Sequence, residues 1–174
     1  MTPRPTVLVT AVSRHGSTSD VADRLADVLR QELEATPWSV ERREPDQVGD
    51  VEEFDAVVIG SAVYMGRWTG QAKRLVRRLD GHAFTGVWLF STGPVDPADP
   101  KPELARSVLT DHPDIVDHVI FGGRLDVDRL SVPERMLVRA LKVPSGDYRS
   151  WPAIEGWASE IAARLALVSV ADSR

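Results

Sequence analysis

The sequence predicts an α/β fold: a doubly wound, five-stranded parallel sheet in the order 2-1-3-4-5, with helices on both faces. Three observations predict it. The inner strand candidates are almost continuously apolar, as strands covered on both faces are, rather than alternating. Between them lie segments whose apolar residues recur at helical spacing. Strand and helix patterns alternate along the chain, which implies right-handed crossovers within one sheet. The 174 residues suit one domain, expected over 1–168 with a helical insertion at about 124–150 and a frayed tail over 169–174.

The first strand is read in Val7-Leu8-Val9-Thr10-Ala11-Val12. A helix follows from near Asp20, with Val21, Leu25, Val28, Leu29 and Leu33 on one face and Asp20 and Asp23 favouring its positive end. Residues 38–43 alternate apolar and polar, as an edge strand with one wet face does. Phe54–Gly60 is a second buried strand. The helix after it sets Ala72, Leu75, Val76 and Leu79 against Lys73, Arg74, Arg77 and Arg78, and Gly81 ends it. Residues 84–90 form a third buried strand. Prolines at 94, 97, 100 and 102 then enforce a stiff loop, followed by a short helix at about 103–110. A last strand near 116–122 and a final helix bearing Ile154, Trp157, Ile161 and Leu165 complete the fold.

In this strand order ligands sit outside the carboxyl ends of the strands that flank the switch point. Those ends are the segments Ser13–Ser19, Ser61–Trp68 and Ser91–Pro100. The first runs Ser13-Arg14-His15-Gly16-Ser17-Thr18-Ser19, between a buried strand and a helix start. Its N–H groups and hydroxyls converge on one spot that the helix dipole makes positive. Each hydrogen bond to a charged phosphate contributes roughly 1.5–3 kcal/mol, so four or five hold one. The alternative is an ordinary helix cap. The candidate binding residues are Ser13, Arg14, His15, Gly16, Ser17 and Thr18. Ser61, Ala62, Val63, Tyr64, Met65 and Gly66 join them from the second segment, and Ser91, Thr92, Gly93 and Pro94 from the third.

Several ligands are excluded. No G-x-G-x-x-G follows the first strand and no G-x-x-x-x-G-K-[ST] is present. No G-x-S-x-G offers a hydrolase nucleophile, and a chain without cysteine has no thiol nucleophile, disulfide or iron–sulfur cluster. The four histidines lack close metal-ligand spacing, so no metal is expected. A net charge of −5 argues against a duplex nucleic-acid partner. No apolar run spans a membrane and no signal peptide fits, so a cytoplasmic protein is expected. A flat aromatic cofactor bearing one phosphate fits best, with Tyr64 or Trp68 stacking on its ring. The alternative for both aromatics is plain packing.

Ser13-x-His15-Gly16-x-Thr18 resembles the flavodoxin phosphate loop, T/S-x-T-G-x-T, with His15 where threonine is usual. The resemblance extends over about residues 5–166 and implies a flavodoxin-like fold with flavin mononucleotide (FMN) as cofactor. Gly60-Ser61-Ala62-Val63-Tyr64-Met65-Gly66 and Asp147-Tyr148-Arg149-Ser150-Trp151 resemble the menaquinone-dependent protoporphyrinogen oxidase branch, whose helical insertion lies between the last strand and the last helix. That branch implies heme biosynthesis, a quinone or redox partner protein, and a small organic substrate. Cations at 124, 129, 135, 139 and 149 would then receive porphyrinogen carboxylates.

In the insertion, Ser131 caps a helix with Pro133 in its first turn. Met136, Leu137, Ala140, Leu141 and Val143 are apolar, and Arg135, Arg139 and Lys142 are basic. Residues 131–143 read either as a lid over the flavin or a peripheral contact with the inner face of a quinone-bearing membrane, or as a helix packed on the body with a solvated basic face. The leading expectation is a two-electron FMN-dependent oxidoreductase with no general base assigned. The alternatives are a flavodoxin-type electron carrier with no substrate of its own and a flavin-free interaction module.

Overall fold

The computed structural model describes residues 4–64, 66–93, 113–140 and 142–171. Strand β1 (Thr6–Val12) leads into helix α1 (Ser17–Glu32) and edge strand β2 (Ser39–Arg42). Next come β3 (Ala56–Tyr64), a short β4 (Arg67–Trp68), α2 (Gly70–Arg77), β5 (Gly86–Gly93) and β6 (Ile115–Gly122). The segment after β6 holds β7 (Arg124–Leu125), α3 (Val132–Ala140) and β8 (Gly146–Asp147), and α4 (Trp151–Ala171) follows. The main sheet runs β2-β1-β3-β5-β6, all parallel, which is the expected 2-1-3-4-5 order once the added β4 is set aside. The expected helix at 103–110 lies outside the described residues, as do residues 172–174 of the expected tail, whose first three residues, 169–171, belong to α4.

Strand alternation assigns the two cores. Val7, Val9 and Ala11 face one side and pack with α1 (Val21, Leu25, Leu29) and α4 (Ile154, Ile161, Leu165). Leu8 and Val12 face the other and pack with Leu75 and Val76 of α2. Trp38 closes the edge beside β2, donating its indole N–H to the Leu165 carbonyl at 3.0 Å. Among the described residues no helix is long and apolar enough to cross a membrane.

Two strands outrun the sequence reading. β3 continues to Tyr64 rather than stopping at Gly60, because residues 67–68 fold back on it with Val63 opposite Trp68 and Tyr64 opposite Arg67. Gly66, at φ 72°, supplies the left-handed turn this hairpin requires. β5 continues to Gly93, so Ser91, Thr92 and Gly93 are strand residues rather than loop. α1 starts at Ser17, three residues ahead of the expected start.

Thr10 is the one departure from an apolar β1 core. It is fully buried, and its hydroxyl has no hydrogen-bond partner among the described residues. An unmade buried hydrogen bond costs the group its desolvation, and a methyl of the same shape does not. Thr10→Val is therefore expected to raise the unfolding free energy by about 1 kcal/mol, read as a higher urea midpoint at unchanged slope. A lower midpoint would refute it.

Candidate functional site

The carboxyl ends of β1, β3 and β5 lie side by side, with Val12 opposite Ser61 and Ser61 opposite Ser91. Their loops therefore share one rim. On β1, Ser13 Oγ accepts the Gly16 N–H at 3.0 Å and closes the loop on itself. Gly16 takes φ 87°, and α1 begins at the next residue with no side chain capping it. The first-turn N–H groups of α1 thus point to the rim with no side-chain acceptor supplied by the cap. A Cβ at Gly16 would meet nothing within 4 Å, so the loop is open there.

The other predicted positions divide by where their polar atoms go. Thr18 is 1% exposed, and its hydroxyl lies 2.6 Å from that of Thr92, tying the first loop to the end of β5. The Ser17 hydroxyl accepts the Arg124 N–H at 2.9 Å, tying the same loop to β7. Ser61 Oγ–H donates to the Ala62 carbonyl and accepts the Thr69 N–H, so it holds the start of α2. Ser91 Oγ accepts the Trp68 indole N–H at 2.7 Å and lies 2.9 Å from His118 Nε2. Ala62, Val63 and Tyr64 are half-buried, and the buried Gly93 accepts the Gly123 N–H at 2.8 Å. Met65 and Pro94 lie outside the described residues. Trp68 is a core residue, 3% exposed, rather than a free stacking ring. Tyr64 carries the Arg14 guanidinium over its ring at 4.5 Å.

The basic side chains of the rim are not bare. Arg14 Nη1 meets Glu134 Oε1 at 3.1 Å, and His15 Nε2 lies 3.5 Å from Glu134 Oε2. The Ser131 N–H and hydroxyl both donate to Glu134 Oε2 at 2.8 Å. Chiefly the Ser131 backbone bond, then its hydroxyl, lowers the Glu134 carboxyl to about 2. Glu134 is not among the candidate residues read from the sequence. Ser131-x-x-Glu134 is a capping-box signature, and that signal was present in the sequence.

Arg149 is also spoken for. Its side chain is 6% exposed, donates to Asp20 at 2.9 Å and to Asp147 at 2.6 Å, and covers the Trp151 ring. Hydrogen bonds to Asp147 raise its pKa further, and Arg149 in turn lowers that of Asp147. Arg124 reaches Asp20 at 3.9 Å, Arg129 pairs with Asp126, and Arg135 donates to the Leu130 carbonyl. Arg139 is exposed.

Solved structures share this architecture. An oxidoreductase from Corynebacterium diphtheriae is similar at a TM-score of 0.52 and 17% identity, covering 97% of this chain and 98% of its own. A short-chain flavodoxin associated with a bacterial microcompartment gives 0.53 at 14% identity, over 80% and 99%. The flavodiiron protein from Giardia intestinalis gives 0.53 at 13% identity, over 96% of this chain and 38% of that one. This chain spans only 37% of the flavodiiron core from Synechocystis and of the rubredoxin:oxygen oxidoreductase from Desulfovibrio gigas. No curated protein matches the chain in sequence. At these identities the likeness is one of fold. The family model of the flavodoxin domain, however, matches residues 8–150, from within β1 to the insertion's end, and so includes the Ser13–Thr18 loop, the rim ends of β1, β3 and β5, and β8; the chain belongs to the flavodoxin domain family.

Proposed function

We propose that this chain is an FMN-dependent oxidoreductase whose cofactor lies across the ends of β1, β3 and β5. The observation that carries the reading is the first turn of α1: it opens at a left-handed Gly16, no side chain caps it, and Arg14 and His15 flank it. That set fits a phosphate monoester. The loop from Ser13 to Thr18 would hold the phosphate through backbone N–H groups, and Tyr64 and the ends of β3 and β5 would border the ring. When bound, FMN supplies reversible redox chemistry, including two-electron exchange with an organic molecule. The chain's own part is to orient the cofactor, shield one side of it and set the charge around it. No side chain at the rim is needed as a general base.

The finer reading takes a protoporphyrinogen-like substrate and a quinone acceptor. It is supported by the resemblance of residues 60–66 and 147–151 and by the insertion after β6. Arg149 serves this reading as an anchor for Asp20 and Asp147 rather than as a receptor for substrate carboxylates; Arg139, exposed on α3, is the better receptor. Val132 and Met136, 67% and 68% exposed, lie with Arg139 and Lys142 on the segment proposed to meet a membrane surface.

The purified chain is expected to be yellow, or to quench FMN fluorescence on titration. Because the loop grips the phosphate, FMN is expected to bind about a hundredfold more tightly than riboflavin, which lacks it. Neither colour nor quenching would remove the flavin reading. Equal affinities would move the phosphate off the loop. Quinone-dependent oxidation of protoporphyrinogen by the loaded protein tests the finer reading, and FMN binding without turnover would favour an electron carrier.

A further inference from the structure

In α3 a single residue is buried, and it is a carboxylate. Val132 and Met136 of the same helix face solvent, so little apolar packing holds α3 to the body. The tie is Glu134. Its Oε1 meets Arg14 and its Oε2 approaches His15, both on the first rim loop. A capping box requires of the Glu134 side chain only the bond from the Ser131 N–H, which it already accepts, and the Ser131 hydroxyl adds a second. The contacts to Arg14 and His15 are additional, and they set a negative charge against the Arg14 guanidinium and beside the His15 ring.

We propose that Glu134 competes with the cofactor's phosphate for Arg14 and His15, so that phosphate binding and the docking of α3 oppose each other. The inference rests on the reading that loop 13–18 takes a phosphate. Arg14 is held between two partners, the Glu134 carboxylate and the Tyr64 ring at 4.5 Å. It serves a phosphate fully only by releasing the carboxylate. Two anions on one guanidinium also repel each other. Coupling of this kind is reciprocal: whatever Glu134 takes from phosphate affinity, phosphate takes from the hold on α3.

Glu134→Gln separates the two roles, since glutamine still completes a capping box but carries no charge. It is expected to bind FMN about tenfold more tightly than the parent chain, with riboflavin affinity unchanged. Adding FMN to the parent is expected to speed amide hydrogen exchange across residues 132–140, a readout that needs no variant. With Arg14→Gln in place, E134Q is expected to bring a smaller gain in FMN affinity than in the parent chain. FMN affinity in E134Q equal to or weaker than in the parent overturns the proposal. So does a matching gain for riboflavin, or slower exchange in 132–140 on adding FMN. If the parent binds no FMN, the flavin reading fails, and inorganic phosphate then decides this proposal: E134Q must bind it more tightly, and no gain overturns it.

Discussion

Replacing Gly60 with alanine is expected to lower the unfolding free energy by about 3 kcal/mol. A Cβ built at Gly60 would lie 2.1 Å from Phe90 Cζ and 2.5 Å from both Phe90 Cε atoms. Gly60 and Phe90 are register partners on β3 and β5, so the ring lies directly across the glycine. The ring has no room to retreat. Phe90 is fully buried, and the rings of Phe121 and Trp157 stand 6.2 Å from it on its other sides. Any tilt is passed to α4 through Trp157, whose indole N–H donates to Asp117 of β6 at 3.0 Å. Close-packed cores absorb such an intrusion by off-rotamer side chains and backbone shifts rather than by flow. Urea unfolding should show a lower midpoint at unchanged slope. Phe90→Leu in the alanine background should recover part of the loss, because the two sites are in contact. A loss under about 1 kcal/mol would mean that the ring moves freely and that the packing argument fails.

The sheet was legible because its signals are local. Continuous apolar runs marked β1, β3 and β5, and helical spacing marked α1, α2 and α4. The order 2-1-3-4-5 followed from alternation and crossover rules alone. The convergence of the three strand ends on one rim followed from that order. What its side chains do did not. Ser61 and Ser91 read as rim hydroxyls, yet both strands extend past them, and pleating turns both hydroxyls inward to Thr69, Trp68 and His118. Trp68 read as a ring platform until the hairpin with Val63 placed it in the core. The Glu134 contact joins residues 120 positions apart in the chain, beyond any periodicity. Only its local half, the capping box with Ser131, could be read from spacing.

Acidification from pH 7 to pH 4 is expected to remove roughly 3 kcal/mol of stability through His118. Burial lowers its pKa from 6.5 to about 4, and the charge of Asp117 opposes this only in part. Among the described residues the groups facing the imidazole are few. Ser91 Oγ lies 2.9 Å from Nε2, the Trp68 ring meets it edge-on at 5.6 Å, and Nδ1 is buried without a partner. A proton on the ring would therefore stand in a poorly solvated place. The sign follows from linkage. The unfolded chain takes up the proton near pH 6.5 and the folded chain only near 4, so protons favour unfolding between those values. The stability from keeping His118 neutral is complete above the unfolded pKa and is lost as pH falls to the folded one. Below about 4 both states carry the proton and the loss levels off. Glu134 and Asp147, held below their ordinary values, lose their contributions in a lower window, as pH falls through their folded pKa values. Two acid phases result, and His118→Asn should abolish only the upper one. Denaturant unfolding of parent and variant at pH 7, 5.5 and 4 measures this. Equal slopes in that interval would show that the ring is solvated when charged, and His118 would then be no barrier to acid.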